Sequence, residues 1–225
     1  MIELMEYLPR NLQAFSKISN GMLSLKIFAK INHFFNKNTL KGSKKNIEAH
    51  YDLGNDFYSM WLDKTMTYSS GFYKEENETI EEAQKGKYQL ILDTLDLPVG
   101  SSILEIGCGW GGFSEYLAKN YNVSIDCITI SKKQFEFTKK RISDTGLNNK
   151  VNVLFLDYRD LQDKYDKIVS IEMIEAVGEN YLGKYFETIK KSLNKDGSAA
   201  LQGITTVSYT HLRAHETKAH LVCLH

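Results

Sequence analysis

From residue 101 onward the apolar positions switch between two periods. Short apolar runs predict strands at Ser102–Ile106, Ser124–Ile130, Val151–Leu156, Lys167–Ile171 and Ser198–Thr205. Between them, helical spacing predicts helices at Trp110–Asn120, Lys132–Asp144 and Tyr181–Leu193, the last stopped by Asp196-Gly197. Strands alternating with helices imply an α/β domain, a mostly parallel sheet with helices on both faces. Upstream the pattern changes. Residues 78–95 read as one helix, broken at Pro98-Val99-Gly100. Residues 46–75 hold Tyr51, Phe57, Tyr58, Trp61, Tyr68, Phe72 and Tyr73 without strand alternation, which predicts short helices and loops forming a lid. Within residues 10–45, Leu23, Ile27, Phe28, Ile31, Phe34 and Phe35 recur at helical spacing, with Lys26, Lys30 and Lys37 among them. The chain therefore divides into a basic amphipathic helical segment (1–45), a helical lid or substrate cap (46–100), the α/β domain (101–206) and a tail (207–225) set apart from it.

Composition narrows the classes. Of 225 residues, 42% are hydrophobic and 25% charged, as in ordinary globular proteins. No apolar run approaches the ~20 residues that span a bilayer, and the start lacks a secretory signal. Cys108, Cys127 and Cys223 suggest no disulfide framework, so a cytoplasmic location is expected. Charge is uneven: residues 1–45 carry eight basic and two acidic side chains, a net +6, against a net −6 for the rest. Such a basic amphipathic helix can lie on anionic lipid, each Lys near the surface contributing about 1 kcal/mol, or it can dock on the core with a solvated basic face. The tail holds four of the six histidines; His211 and His215 are four apart, but no acidic or cysteine partner is placed to complete a metal site, and none is expected.

The sharpest local signal is Leu104-Glu105-Ile106-Gly107-Cys108-Gly109-Trp110-Gly111-Gly112, which follows a strand and opens a helix. Glycines allow a tight turn and a close ligand approach, and the helix start offers free N–H groups. A ligand would sit there, outside the carboxyl ends of the strands. The letters satisfy G-x-G-x-x-G, the dinucleotide fingerprint, at Gly107, Gly109 and Gly112. That fingerprint wants an acidic residue at the end of the second strand, where Ile128-Thr129-Ile130-Ser131 stands and Asp126 comes too early. The acidic Glu105, two before the first glycine, resembles instead the first motif of S-adenosylmethionine methyltransferases.

Five segments in order, Asn46–Tyr58 (NIEAHYDLGNDFY), Met66–Gly71 (MTYSSG), Leu104–Gly112, Ile128–Gln134 (ITISKKQ) and Ser170–Gly178 (SIEMIEAVG), resemble the cyclopropane-fatty-acyl-phospholipid synthase family, which includes mycolic acid cyclopropane synthases and enzymes making methyl-branched fatty acids. The likeness runs from about residue 36 to Thr206. It implies a Rossmann-like S-adenosylmethionine methyltransferase fold, S-adenosyl-L-methionine as cofactor and bicarbonate in the active site. By the same resemblance, Tyr68 and Ser69 would touch the methionine part. Leu104, Glu105, Gly107, Cys108, Gly109, Trp110 and Gly111 would wrap the cofactor. Thr129 and Gln134 would hold its ribose end, Ser131 would also bind the cofactor, and Tyr158 and Arg159 would lie at the adenine. Glu175, Ser70 and Gln202, with a backbone contact from Ile204, would hold bicarbonate.

This sequence departs from the family at three places. Ser70 stands where a cysteine is usual and Gln202 where a histidine is; both can still hydrogen-bond an anion. After Thr206 the likeness stops where two further strands and a tyrosine would follow, so the chain reads as a fragment with a bare sheet edge. The implied reaction is methyl transfer to a cis double bond of a phospholipid acyl chain, leaving a carbocation that aromatic faces stabilise by ~2 kcal/mol. Loss of a proton to bicarbonate then closes a cyclopropane; other quenching gives a methyl or methylene branch. A methyltransferase for a small soluble acceptor and a non-catalytic cofactor binder remain open from the residues alone. The implied partners are unsaturated acyl chains at the membrane surface, met from its inner face; no nucleic acid is expected, and a homodimer is left open. If the basic segment is the membrane contact, deleting residues 1–40 will weaken co-sedimentation with anionic vesicles; unchanged binding points to the docked helix.

Overall fold

The computed structural model describes residues 54–205 and 218–224. The basic helices expected in residues 1–45, Tyr51, and the histidine pair His211 and His215 lie outside the described residues. Two helices precede the sheet: α1 (Gly54–Ser59) and α2 (Ile80–Leu95). Then come β1 (Ser102–Ile106), α3 (Gly112–Asn120), β2 (Ser124–Thr129), α4 (Lys132–Asp144), β3 (Val151–Phe155), β4 (Tyr165–Ile171), the short α5 (Ile174–Val177), α6 (Leu182–Ser192), β5 (Leu193–Thr205) and β6 (Lys218–Leu224).

The sheet order is β3-β2-β1-β4-β5-β6; the first five strands are parallel and β6 runs antiparallel along β5. The alternation of strand side chains sorts the core into two layers. On one face Ile103, Ile125, Cys127 and Val169 pack with Tyr88, Ile91 and Leu95 of α2, Phe113 and Leu117 of α3 and Ile142 of α4. On the other, Leu104, Ile106, Ile128 and Ile168 meet Tyr185 and Ile189 of α6 and Tyr158. This is the expected Rossmann-like α/β arrangement.

Local chemistry explains the boundaries. Thr79 caps α2 in a capping box: its hydroxyl accepts from the Glu82 N–H while the Glu82 carboxylate accepts from the Thr79 N–H. α3 starts at Gly112 rather than Trp110, because Gly107, Gly109 and Gly111 all have positive φ and cannot extend the helix back into the loop. The expected stop at Asp196-Gly197 is corrected: those residues belong to β5, in a register shift between the Tyr165–Leu193 and Lys167–Ser198 pairs. Asn194 anchors that irregular stretch by donating to Asp166 Oδ1 at 2.7 Å. At the far side, Lys218–Leu224, part of the stretch set apart as a tail, pairs with Ala199–Thr205. β5 is therefore covered, not the bare edge expected.

Two glycines should respond oppositely to a methyl group. At Gly112 a Cβ would lie 2.8 Å from both Thr65 O and Thr67 Oγ1, whereas at Gly183 in α6 it meets nothing within 4 Å. Gly112→Ala should lose about 1–3 kcal/mol of stability and Gly183→Ala gain up to about 1 kcal/mol, read by urea denaturation.

Candidate functional site

The glycine loop leaves β1 at the carboxyl edge of the sheet. Gly107 and Cys108 N–H groups donate to Ile128 O, each at 3.0 Å, and Gly111 N–H to Cys108 O at 2.8 Å, so the turn is tied to β2. The glycines do different work. A Cβ on Gly107 would collide with Met173 Cγ at 2.9 Å, and one on Gly111 with Thr138 Cγ2 at 2.5 Å. Gly109, with φ +54°, has nothing within 4 Å of where a Cβ would stand among the described residues. It is thus a backbone surface that a ligand can approach without a side chain between. Other residues assigned to the loop serve the scaffold: Leu104 is wholly buried in the core, Cys108 is a buried thiol, and the Trp110 indole donates to Asn55 Oδ1 at 2.8 Å and stacks on Tyr58 at 4.8 Å.

Beside it, the end of β2 and the start of α4 form a buried polar knot. Thr129 Oγ1 donates to Gln134 Oε1 at 2.9 Å, Ser131 N–H to Thr129 Oγ1 at 3.1 Å, and Ser131 caps α4 through Gln134 N–H. These three residues, assigned to the cofactor, are indeed adjacent. The residues assigned to the adenine, Tyr158 and Arg159, follow β3. Tyr158 packs edge-on against Tyr185 at 5.3 Å inside the core, and Arg159 grips Asp157 through two bonds of 2.8 and 2.6 Å.

The lid segment between α1 and α2 has almost no regular structure and is fixed by side-chain bonds. Arg141 of α4 donates to Thr65 O, Trp110 O and Lys64 O at 2.6, 2.8 and 2.9 Å. Gln84 Nε2 and Lys87 Nζ of α2 hold Ser69 by its carbonyl and its hydroxyl. Tyr68, at the surface, sits 5.5 Å from both Tyr58 and Trp61. Phe57, Trp61, Tyr68, Phe72 and Tyr73 keep large exposed areas, an apolar rim around the carboxyl edge.

Ser70 and Gln202 meet directly, Gln202 Nε2 donating to Ser70 Oγ at 3.0 Å, and both also bond a residue not assigned to the site. Glu172 Oε1 accepts from Ser70 N–H at 2.9 Å, Ser70 Oγ at 2.5 Å and Gln202 Nε2 at 3.0 Å. Glu172 has φ +47°, which for a residue with a Cβ costs about 1–2 kcal/mol. Glu175, on α5, bonds Ile204 N–H at 2.5 Å, so this assigned pair also meets. Gln84 Oε1 and Gln202 Oε1 are buried with no hydrogen-bond partner among the described residues, positions that suit donors of a ligand.

Among the described residues Lys87 and Glu105 are the fully buried charged groups, whereas Glu172 is half-buried and Glu175 exposed. Burial pushes Lys87 down to about 7, against the pull of Glu172, Asp63 and Glu105. Burial raises Glu105 to about 7, opposed by its bond to Ser114. Lys87 was legible in the sequence: Ala83, Lys87, Ile91 and Leu95 recur every four residues on the buried face of α2, a lysine on an apolar stripe. Glu172 carried a weaker mark, an acidic residue directly after a strand.

A profile described as mycolic acid cyclopropane synthetase matches residues 38–223. The chain is 42% identical over 157 residues to "Cyclopropane-fatty-acyl-phospholipid synthase" of Escherichia coli (strain K12), covering 70% of this chain and 40% of that protein. It is 33% identical over 183 residues to "Tuberculostearic acid methyltransferase UfaA1" of Mycobacterium tuberculosis (strain ATCC 25618 / H37Rv), covering 78% and 43%. Its fold is similar to the crystal structure of the mycolic acid cyclopropane synthase CmaA1 complexed with SAH and CTAB, with a TM-score of 0.70, 32% identity and coverage of 73% of this chain and 57% of that one. The chain thus spans about 40% of the length of these two curated relatives.

The two buried charges predict a pH signature. Glu105, raised in the fold, lowers stability as pH climbs from its unfolded value of 4.5 towards 7; Lys87, depressed in the fold, restores it between 7 and 10.5. Thermal midpoints should therefore dip near pH 7. Glu105→Gln should flatten the acidic limb and Lys87→Met the alkaline limb.

Proposed function

The chain belongs to the mycolic acid cyclopropane synthetase family, and from that premise we propose that it is an S-adenosylmethionine-dependent C-methyltransferase acting on cis double bonds of phospholipid acyl chains. The observation that carries the reading is Gly109, a bare backbone turn at the carboxyl edge of a parallel sheet, beneath an aromatic rim. The cofactor fits the residues present. Its backbone approach is Gly109, and the orphaned Gln84 and Gln202 oxygens accept from donors such as an ammonium or hydroxyl. The Tyr58–Trp61–Tyr68 faces suit a sulfonium cation. When bound, S-adenosyl-L-methionine supplies an already activated methyl group, which leaves positioning and protection to the protein.

Those tasks fall to named residues. Lys87 and Gln84 fix Ser69 and therefore Tyr68; Arg141 fixes the start of the same segment to the glycine loop. The apolar rim excludes water from a weak π nucleophile and faces the cation formed on the chain. Glu175 positions Ile204 at the end of β5. Among the described residues no helix is long and apolar enough to cross a membrane. We place the encounter with lipid at the cytoplasmic membrane surface, through the rim and the basic segment.

Bicarbonate does not fit the groups assigned to it. Ser70 N–H, Ser70 Oγ and Gln202 Nε2 are occupied by Glu172, and Ile204 N–H by Glu175. A second anion about 4 Å from Glu172 would meet repulsion of about 4 kcal/mol in a partly solvated site. The product is a cyclopropane when the proton leaves the new methyl group so as to close a ring, and a methyl or methylene branch when the cation is quenched otherwise; relatives named for both outcomes fit the same scaffold.

Calorimetry should show S-adenosylmethionine binding to the purified chain and none for Gly109→Val. With vesicles of cis-unsaturated phospholipid, acyl chains should gain one CH₂, and saturated vesicles should give nothing. Glu175→Gln should slow turnover about tenfold, the size of one lost positioning bond, with cofactor binding intact. Wild-type protein that binds no cofactor, or methylates only soluble acceptors, refutes the reading.

A further inference from the structure

Glu172 stands one residue past β4, at the edge of the sheet where ligands of α/β folds bind. It has left-handed backbone, a conformation that residues other than glycine keep only where their surroundings impose it. Here the surroundings do so from two distant parts of the chain. Glu172 N–H donates to Gln202 O at 2.8 Å, and three donors from Ser70 and Gln202 converge on its Oε1. Oε2 takes no hydrogen bond among the described residues. The next residue, Met173, packs against Gly107 of the glycine loop, and Ser70 directly follows the Tyr68-Ser69 strip of the lid. The carboxylate therefore lies between the cofactor loop, the lid and β5, with one oxygen fixed and the other unengaged.

We propose that Glu172 is the base of the reaction, a carboxylate built into the chain in the position expected for bicarbonate. The inference rests on the proposed function. Once the methyl carbon has bonded to one alkene carbon, the neighbouring carbon is a cation. Oε2 of Glu172 then takes a proton from the new methyl group: the O–H bond forms, the C–H bond breaks, and its electron pair makes the C–C bond that closes the ring and neutralises the cation. The carboxylic acid later returns the proton to solvent. The methyl protons lie one carbon further from the cation than its immediate neighbours, but their departing electron pair closes directly onto the empty orbital, so a carboxylate held by three donors is base enough. Its fixed negative charge also faces the cation before the proton moves. A residue that merely stapled Ser70 to β5 would need neither the charge nor the strained backbone.

The test uses the purified chain, S-adenosylmethionine and cis-unsaturated phosphatidylglycerol vesicles in buffer stripped of carbon dioxide, with and without added bicarbonate. Wild-type turnover should be the same in both. Glu172→Gln should fall about 100-fold, within the range of a lost general base, with calorimetric cofactor binding unchanged. Glu172→Gly, whose backbone is relaxed at positive φ, opens the anion seat. It should be silent in stripped buffer, recover with bicarbonate, and broaden the ¹³C-bicarbonate resonance where wild type does not. Wild-type turnover that requires bicarbonate, or Glu172→Gln within about threefold of wild type, overturns the assignment while leaving the methyltransferase reading in place. No lipid product from wild type in either buffer overturns both.

Discussion

The site depends on hydrogen bonds from charged and amide side chains to a segment with no regular structure of its own. Residues 60–79 contribute no ladder and little helix, so their position is set from outside. Arg141 holds Lys64 and Thr65, Lys87 and Gln84 hold Ser69, and Glu172 holds Ser70. Each anchor comes from an element of the sheet domain or from α2, which packs on it. The lid is thereby registered to the glycine loop residue by residue, and Tyr68 stands where the aromatic rim meets the turn.

Such anchoring carries an electrostatic consequence. Lys87 and Glu105 are buried where either charge alone is poorly solvated, and both are driven towards neutrality near pH 7. Glu172 pulls on Lys87 from the other side of Ser69. The scaffold thus keeps a small, balanced set of charges around a position meant for a cationic cofactor. On the proposed reading, a free base and an internal carboxylate would compete for one seat rather than share it.

That competition bears on how one fold serves several lipid products. The relatives include a cyclopropane synthase and a tuberculostearic acid methyltransferase, by name different outcomes of methyl transfer to a chain. In this chain the parts proposed to place the methyl group are the glycine loop, the aromatic rim and the strip around Tyr68. On the proposed mechanism, the fate of the cation after methyl transfer depends on which base is present and where it stands. In this chain Glu172, the residue after β4, bonds Ser70 of the lid and Gln202 of β5, three stretches that no local motif joins.

Much of this was legible without coordinates. Strand and helix periods located every element of the parallel sheet to within a few residues, since burial on two faces or one leaves a direct mark on the order of side chains. The glycine spacing located the ligand turn, because only glycine relieves both positive φ and close packing. What escaped was non-local. The irregular stretch of β5 around Asp196-Gly197 is set by its neighbour β4, and β6 owes its place to pairing along β5. The packing of Tyr158 against Tyr185, 27 positions away, left no mark in the local sequence. Ser70 and Gln202 were legible as a pair of hydrogen-bonding groups, yet 132 positions separate them, and nothing in their spacing shows that Glu172 lies between. The sequence by itself determined the α/β architecture and the backbone turn that receives a ligand, because both arise from local periodicity and glycine conformation. Only the tertiary structure decided which carboxylate occupies the anion seat, because that depends on three side chains converging through space.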